Sequence, residues 1–183
     1  MKRIAILLCV LALTGCKEQK NEPAFALASI EKVTPLKIIE TNAKTIPVYN
    51  FNSLEKLLKP QDDKIYVVNF WATWCKPCVE ELPNFEKAYK QYKKEGVEVI
   101  LVSLDFPNKV NEILIPFINK KNLISNVILL DDPKQNRWIP KVDENWSGAI
   151  PATIIISENK RSFYEKSFTF IELEKEIKDF VNN

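Results

Sequence analysis

Three features of the chain predict an α/β fold whose mixed central sheet has about five strands, with helices on both faces. First, within roughly forty residues an apolar run at 64–71 is followed by a helically spaced segment and a second apolar run at 97–104, which makes a βαβ unit with parallel strands and a right-handed crossover. Second, neither apolar run alternates with polar residues, as expected of strands covered on both faces. Third, residues 152–157 and 162–168 flank Glu158-Asn159-Lys160 as a hairpin, which adds antiparallel pairing to the parallel strands. With 183 residues, 46% of them apolar, the chain can bury one sizeable core, so one domain is expected.

The elements follow in order. Met1-Lys2-Arg3 and the apolar stretch 4–13 are too short to span a bilayer and read as an export signal over residues 1–15. The signal ends in Leu13-Thr14-Gly15-Cys16. That run resembles the lipobox of bacterial lipoproteins, and the resemblance implies that Cys16 carries lipid and tethers the chain to a membrane. Residues 16–45 are expected to form a polar tether and an N-terminal extension without clear periodicity, and 46–183 the folded domain. Residues 46–51 read as a short strand, and Asn52 or Ser53 as the cap of a helix that buries Leu54, Leu57 and Leu58. Val79, Leu82, Phe85, Ala88 or Tyr89, and Tyr92 make an apolar stripe on a helix running to about Glu95, with Pro83 inside it and Gly96 ending it. Residues 110–121 read as a helix interrupted or started at Pro116, 126–130 as a strand, 133–140 as irregular or one short helix, and 171–181 as a final amphipathic helix.

Composition removes several classes of chemistry. The chain has no histidine, which excludes Ser-His-Asp and Cys-His catalysis and every His-ligated metal site. Of four cysteines, Cys9 leaves with the signal and Cys16 is expected to be lipidated, so a four-cysteine zinc site is excluded too. Three glycines leave no Gly-rich phosphate loop, and no metal or cofactor is expected. Loss of Lys2 and Arg3 brings the 26 basic residues level with the 24 acidic ones, and such a neutral exported chain is a poor nucleic-acid binder.

The remaining thiols carry the chemistry. Cys75 stands where a strand hands over to a helix, and the unpaired N–H groups and partial positive charge of a helix N-terminus favour a thiolate. Cys75 is therefore the expected nucleophile. Cys78 returns to the same helix face and can resolve a mixed disulfide formed at Cys75. Lys76 adds a nearby, weakly felt positive charge.

Asn69-Phe70-Trp71-Ala72-Thr73-Trp74-Cys75-Lys76-Pro77-Cys78-Val79-Glu80-Glu81-Leu82-Pro83 and, later, Gly148-Ala149-Ile150-Pro151-Ala152-Thr153 resemble the thioredoxin superfamily in its extracytoplasmic TlpA/ResA-like branch. The resemblance covers residues from about Ile46 onward and implies a thioredoxin-like fold and a redox-active Cys75–Cys78 disulfide. It also implies substrate contacts at Trp74, Ile150, Pro151 and Thr153. Taken alone, the sequence favours a trans bond before Pro151, since only about 5% of X–Pro bonds in folded proteins are cis; the resemblance reverses that expectation. In thioredoxin a buried aspartate lies beneath the cysteines, where this chain has Asn69. A glutamate after the second cysteine replaces it in the ResA-like branch, and Glu81 matches that position as a possible acid/base with a raised pKa. Glu80 and Glu81 as ordinary solvated charges is the alternative.

The expected partners are disulfide-containing exported proteins, with apocytochrome c, a peroxidase or misfolded exported chains as candidates. A membrane thiol transporter is the implied electron donor, and cytochrome c maturation is one implied setting. The implied location is the cell envelope, facing the periplasm, with inner or outer membrane undecided. Two rival readings are a non-catalytic partner-binding lipoprotein and a thiol peroxidase. The second would need Thr-x-x-Cys and an arginine near the thiolate, whereas Thr73 stands two residues before Cys75.

Overall fold

This computed structural model describes residues 33–41 and 44–182. The expected signal over 1–15, lipid-bearing Cys16 and most of the tether lie outside the described residues. The elements are β1 (Lys37–Glu40), β2 (Thr45–Tyr49), α1 (Phe51–Leu57), β3 (Ile65–Trp71), α2 (Lys76–Tyr92), β4 (Val97–Ser103), α3 (Ile115–Lys121), β5 (Asn126–Leu130), α4 (Gln135–Val142), β6 (Ala152–Ile156), β7 (Arg161–Tyr164) and α5 (Phe170–Val181).

The seven strands form one sheet in the order β1-β2-β5-β4-β3-β6-β7, where about five strands were expected. Six of the seven correspond to runs read from the sequence; the seventh, β1, pairs antiparallel with β2 at one edge. Its residues are exposed except Ile39, which is half-buried, so it has no buried face to produce an apolar pattern. The parallel unit is β3 beside β4, from Ile65↔Val97 to Trp71↔Ser103. β6 runs antiparallel on the other side of β3, with Asn69↔Thr153 and Phe70↔Ala152 among its pairs.

Alternation of side chains along each strand sends successive residues into two cores. Val67, Trp71, Val99 and Leu101 pack with Leu82, Phe85 and Ala88 of α2 and Leu173 and Ile177 of α5. Tyr66, Val68, Phe70, Ile100 and Val102 pack on the opposite face with Leu54 and Leu57 of α1 and Trp138 of α4. Every residue of β3 is buried, which is why its sequence shows no alternation.

Three boundaries differ from the sequence reading. β7 ends at Tyr164, four residues before the expected 168, which leaves the Phe168 backbone outside the ladder. The cap of α1 is Asn50, whose side chain accepts from the Ser53 N–H at 3.0 Å; Phe51 is buried and already belongs to the first turn. Residues 110–121 divide into a wide turn at Val110–Leu114 and then α3, with Pro116 in its first turn. α2 runs unbroken past Pro83 into the 3-10 turn Lys93–Glu95, and Gly96 stops it with a left-handed φ of 81°.

Candidate active site

The ends of β3 and β4 and the start of β6 meet at one end of the sheet, and the chain leaving β3 turns there into α2. The Cys75 N–H donates to the Ala72 carbonyl at 3.1 Å. Cys75 is the N-cap of α2, with extended backbone, and its Sγ accepts from the Cys78 N–H at 3.3 Å. A sulfur at this position meets the unpaired N–H groups and positive end of the helix dipole. Pro77 lies in the first turn of the helix, where a missing N–H costs nothing. Cys75 and Cys78 are joined by a disulfide, with Cα atoms 5.3 Å apart. Cys75 is 6% exposed and Cys78 is fully buried, so an incoming group meets the Cys75 sulfur first.

The rim is formed by side chains from three segments. Trp74 is 60% exposed. Lys76 and Glu80 are both exposed and pair with each other at 3.8 Å, so that lysine's charge is partly neutralised before it reaches the sulfur. Across the cleft, Cys75 Sγ lies 3.6 Å from the Ile150 carbonyl oxygen, and the Ile150–Pro151 peptide bond is cis. The loop before it is tied down on both sides. Trp146 Nε1 donates to the Ala149 carbonyl at 2.8 Å, and the Ala149 and Ser147 N–H groups each donate to the Glu165 carboxylate at 3.1 Å. Three donors, the Ser147 hydroxyl first among them, hold the Glu165 carboxyl below the usual carboxylate range. Ile150 is half-buried and stands just outside the ladder, whose last pair is Phe70↔Ala152.

Thr153 corrects an expectation. It has no exposed surface and stands opposite Asn69 in the ladder, where its Oγ1 accepts from Asn69 Nδ2 at 3.1 Å. β6 has already entered the sheet at this residue, so Thr153 lies beneath the site and not on its substrate edge.

Glu81 and Glu80 have opposite environments although they are adjacent. Glu81 follows Cys78 by one helical turn on the same face and is 3% exposed. Its two oxygens accept from Asn69 Nδ2 at 2.9 Å and from the Phe168 N–H at 2.7 Å. Burial pushes its pKa up to about 7, outweighing the lowering effect of the Phe168 and Asn69 donors. Asn69, noted in the sequence for replacing an aspartate, thus helps hold the carboxyl beneath the cysteines. Its signal was a lone amide within the apolar run Ile65-Tyr66-Val67-Val68-Asn69-Phe70-Trp71, since a fully buried amide needs partners.

Asp105 was missed. It is 4% exposed, and its carboxylate accepts from the Thr73 N–H at 3.1 and 3.2 Å, from the Thr73 hydroxyl, and from the Ser103 hydroxyl at 2.8 Å. It fixes the loop that presents Trp74 and Cys75. The available signal was an acidic residue just beyond the largely apolar run 97–104.

Residues 42–161 match the model of the AhpC/TSA family. The thiol-disulfide oxidoreductase ResA of Halalkalibacterium halodurans is 30% identical over 102 residues, which are 56% of this chain and 53% of that protein, so the match spans about half of that relative's length. The ResA of Geobacillus kaustophilus is 34% identical over 161 residues, covering 86% of this chain and 80% of that one. The crystal structure of a thioredoxin-family thiol:disulfide interchange protein from Chlorobium tepidum TLS superposes with a TM-score of 0.58 at 19% identity, over 81% of this chain and 97% of that one. At that identity the superposition establishes a thioredoxin-like fold.

Proposed function

This chain belongs to the AhpC/TSA family, and from that premise we propose that it is a ResA-like thiol-disulfide oxidoreductase that reduces disulfides in exported partner proteins. The observation that carries the reading is the asymmetry of the sulfurs: Cys75 is reachable, caps α2 and faces Ile150, while Cys78 is sealed behind it. In the dithiol form, the Cys75 thiolate attacks a partner disulfide, and one partner sulfur leaves as a thiolate. Ionised Glu81 takes the Cys78 proton, Cys78 attacks the Cys75 sulfur, and the second partner sulfur leaves. The partner gains two electrons and the chain closes its Cys75–Cys78 disulfide. The exposed face of Trp74 and the free edge at Ile150 and Pro151 are suited to an extended partner segment, which can pair with the Ile150 backbone as an added strand.

Regeneration needs a thiol donor, and a membrane thiol transporter fits a chain exported by residues 1–15 and tethered by lipid on Cys16. Apocytochrome c is one exported disulfide substrate that suits this reading. Among the described residues no helix is long and apolar enough to cross a membrane. A peroxidase reading gains nothing from Arg161, whose guanidinium is engaged by the carbonyls of Leu58 and Val142.

The test is insulin reduction by the parent together with trapping by Cys78→Ala. Turnover in the parent and accumulated mixed disulfides at Cys75 in the variant are expected. A parent that consumes peroxide but leaves insulin oxidised would transfer the site to peroxidase chemistry, and one inert in both assays would make it a binding lipoprotein.

A further inference from the structure

The Asp105 carboxylate joins two chain segments at the mouth of the site. β3 and β4 run in register to Trp71↔Ser103, and the Leu104 N–H carries the ladder one step further, donating to the Trp71 carbonyl at 2.8 Å. Asp105 then locks Thr73 through its N–H and hydroxyl, and Ser103 Oγ accepts from the Asp105 N–H at 3.1 Å. The next residue on each segment is a large aromatic: Trp74, 60% exposed, and Phe106, 64% exposed. Phe106 is itself fixed, because its carbonyl accepts from the Lys109 N–H at 2.8 Å across the turn Pro107–Lys109.

Singly exposed aromatics are ordinary on protein surfaces. Two of them, each following a residue of the Thr73–Asp105 lock made by one buried carboxylate, with Trp74 adjacent in the chain to the reactive Cys75, are an arrangement. The lysines of these segments, Lys76 and Lys109, lie against Glu80 at 3.8 Å and Glu112 at 2.7 Å, so their charge is answered locally and the recognition offered here is apolar.

We propose that Phe106 and Trp74 form a platform that selects partner segments carrying a large apolar side chain next to the cysteine. The proposal rests on the exchange reading above. A segment laid along the Ile150 edge brings its cysteine to Cys75, and its flanking side chain covers the platform, removing both surfaces from water.

Two peptide disulfides identical except for Leu or Ser beside the cysteine test this, with 2-hydroxyethyl disulfide as a third substrate too small to reach the platform. The reduced parent is expected to react about tenfold faster with the Leu peptide than with the Ser peptide. Phe106→Ala is expected to lose most of that preference while keeping the parent's rates on the Ser peptide and the small disulfide, and Phe106→Leu to restore it. Equal rates on the two peptides in the parent, or an undiminished preference in Phe106→Ala, would overturn the platform and leave the exchange reading standing. So would a Phe106→Ala variant slowed equally on all three substrates, which would make Phe106 a support of the loop. A parent inert towards all three would remove the exchange reading, and the platform with it.

Discussion

Glu81 is one carboxyl on which burial and hydrogen bonding act in opposite directions, and burial wins. Its folded pKa is raised from 4.5 to about 7, so its contribution to stability is fully present below about pH 4.5 and is lost as pH rises through about 7. The parent should therefore lose about 2 to 3 kcal/mol relative to Glu81→Gln between pH 4 and pH 8, read from urea unfolding at the two pH values. The same titration should appear in catalysis. Resolution of a Cys75 mixed disulfide should quicken as pH rises through about 7 in the parent, and the variant should be slower and lack that inflection; superimposable profiles would free Glu81 of any proton-transfer role. At this scale the sequence identified the chemistry but not the partners. Cys75, Cys78 and Glu81 lie within one short stretch, where helical spacing alone brings them together. The groups that hold Glu81, Asn69 and the Phe168 N–H, come from a strand and from a distant loop, and only the closed sheet joins them. Helical spacing puts Glu81 and not Glu80 on the face of Cys78, but that this face is buried, with the Phe168 N–H closing over Glu81, follows only from the tertiary packing.

α5 connects element stability to that carboxyl. Thr169 caps it with a reciprocal box: the Glu172 N–H donates to Thr169 Oγ1 at 3.4 Å, and the Thr169 N–H donates to the Glu172 carboxylate at 2.9 Å. The residue before the cap is Phe168, whose N–H reaches Glu81. Thr169→Ala should cost about 1 kcal/mol in urea unfolding. By loosening the Phe168 donor it should also move the Glu81 inflection to higher pH, since that donor favours the ionised form. A stability loss with an unmoved inflection would show that the Phe168 N–H is positioned independently of the cap. Which elements the sequence disclosed follows from the same logic of burial. β5 is apolar after its first residue and buried throughout, and residues 126–130 were read to the residue. β1 has no buried face and was invisible. The start of α1 was misplaced because Asn50, Asn52 and Ser53 are all competent caps, and the choice among them is made by the burial of Phe51.

For the whole molecule, the two cores hold β3 rigidly between them and leave its C-terminal end to deliver the cysteines, so the free energy of the fold is coupled to their redox state. Unfolding the oxidised and the reduced chain closes a thermodynamic cycle with the reduction potential. Whichever form the fold favours, the pair is biased towards it. Closing a loop as short as Cys75 to Cys78 stabilises the oxidised form by about 2 kcal/mol through chain entropy. Against this works the N-terminus of α2, which stabilises a thiolate at Cys75 in the reduced form. Buried Glu81 opposes that thiolate, because once ionised it places a second negative charge close to the sulfurs. The expected balance is an oxidised chain about 2 kcal/mol more stable than the reduced one at pH 8, read from parallel urea titrations with and without reductant. Each further ~1.4 kcal/mol corresponds to ~30 mV towards the reducing side. A reduced chain more stable than the oxidised one would make Cys75–Cys78 an oxidant and reverse the electron flow proposed here, without altering the roles of the two sulfurs.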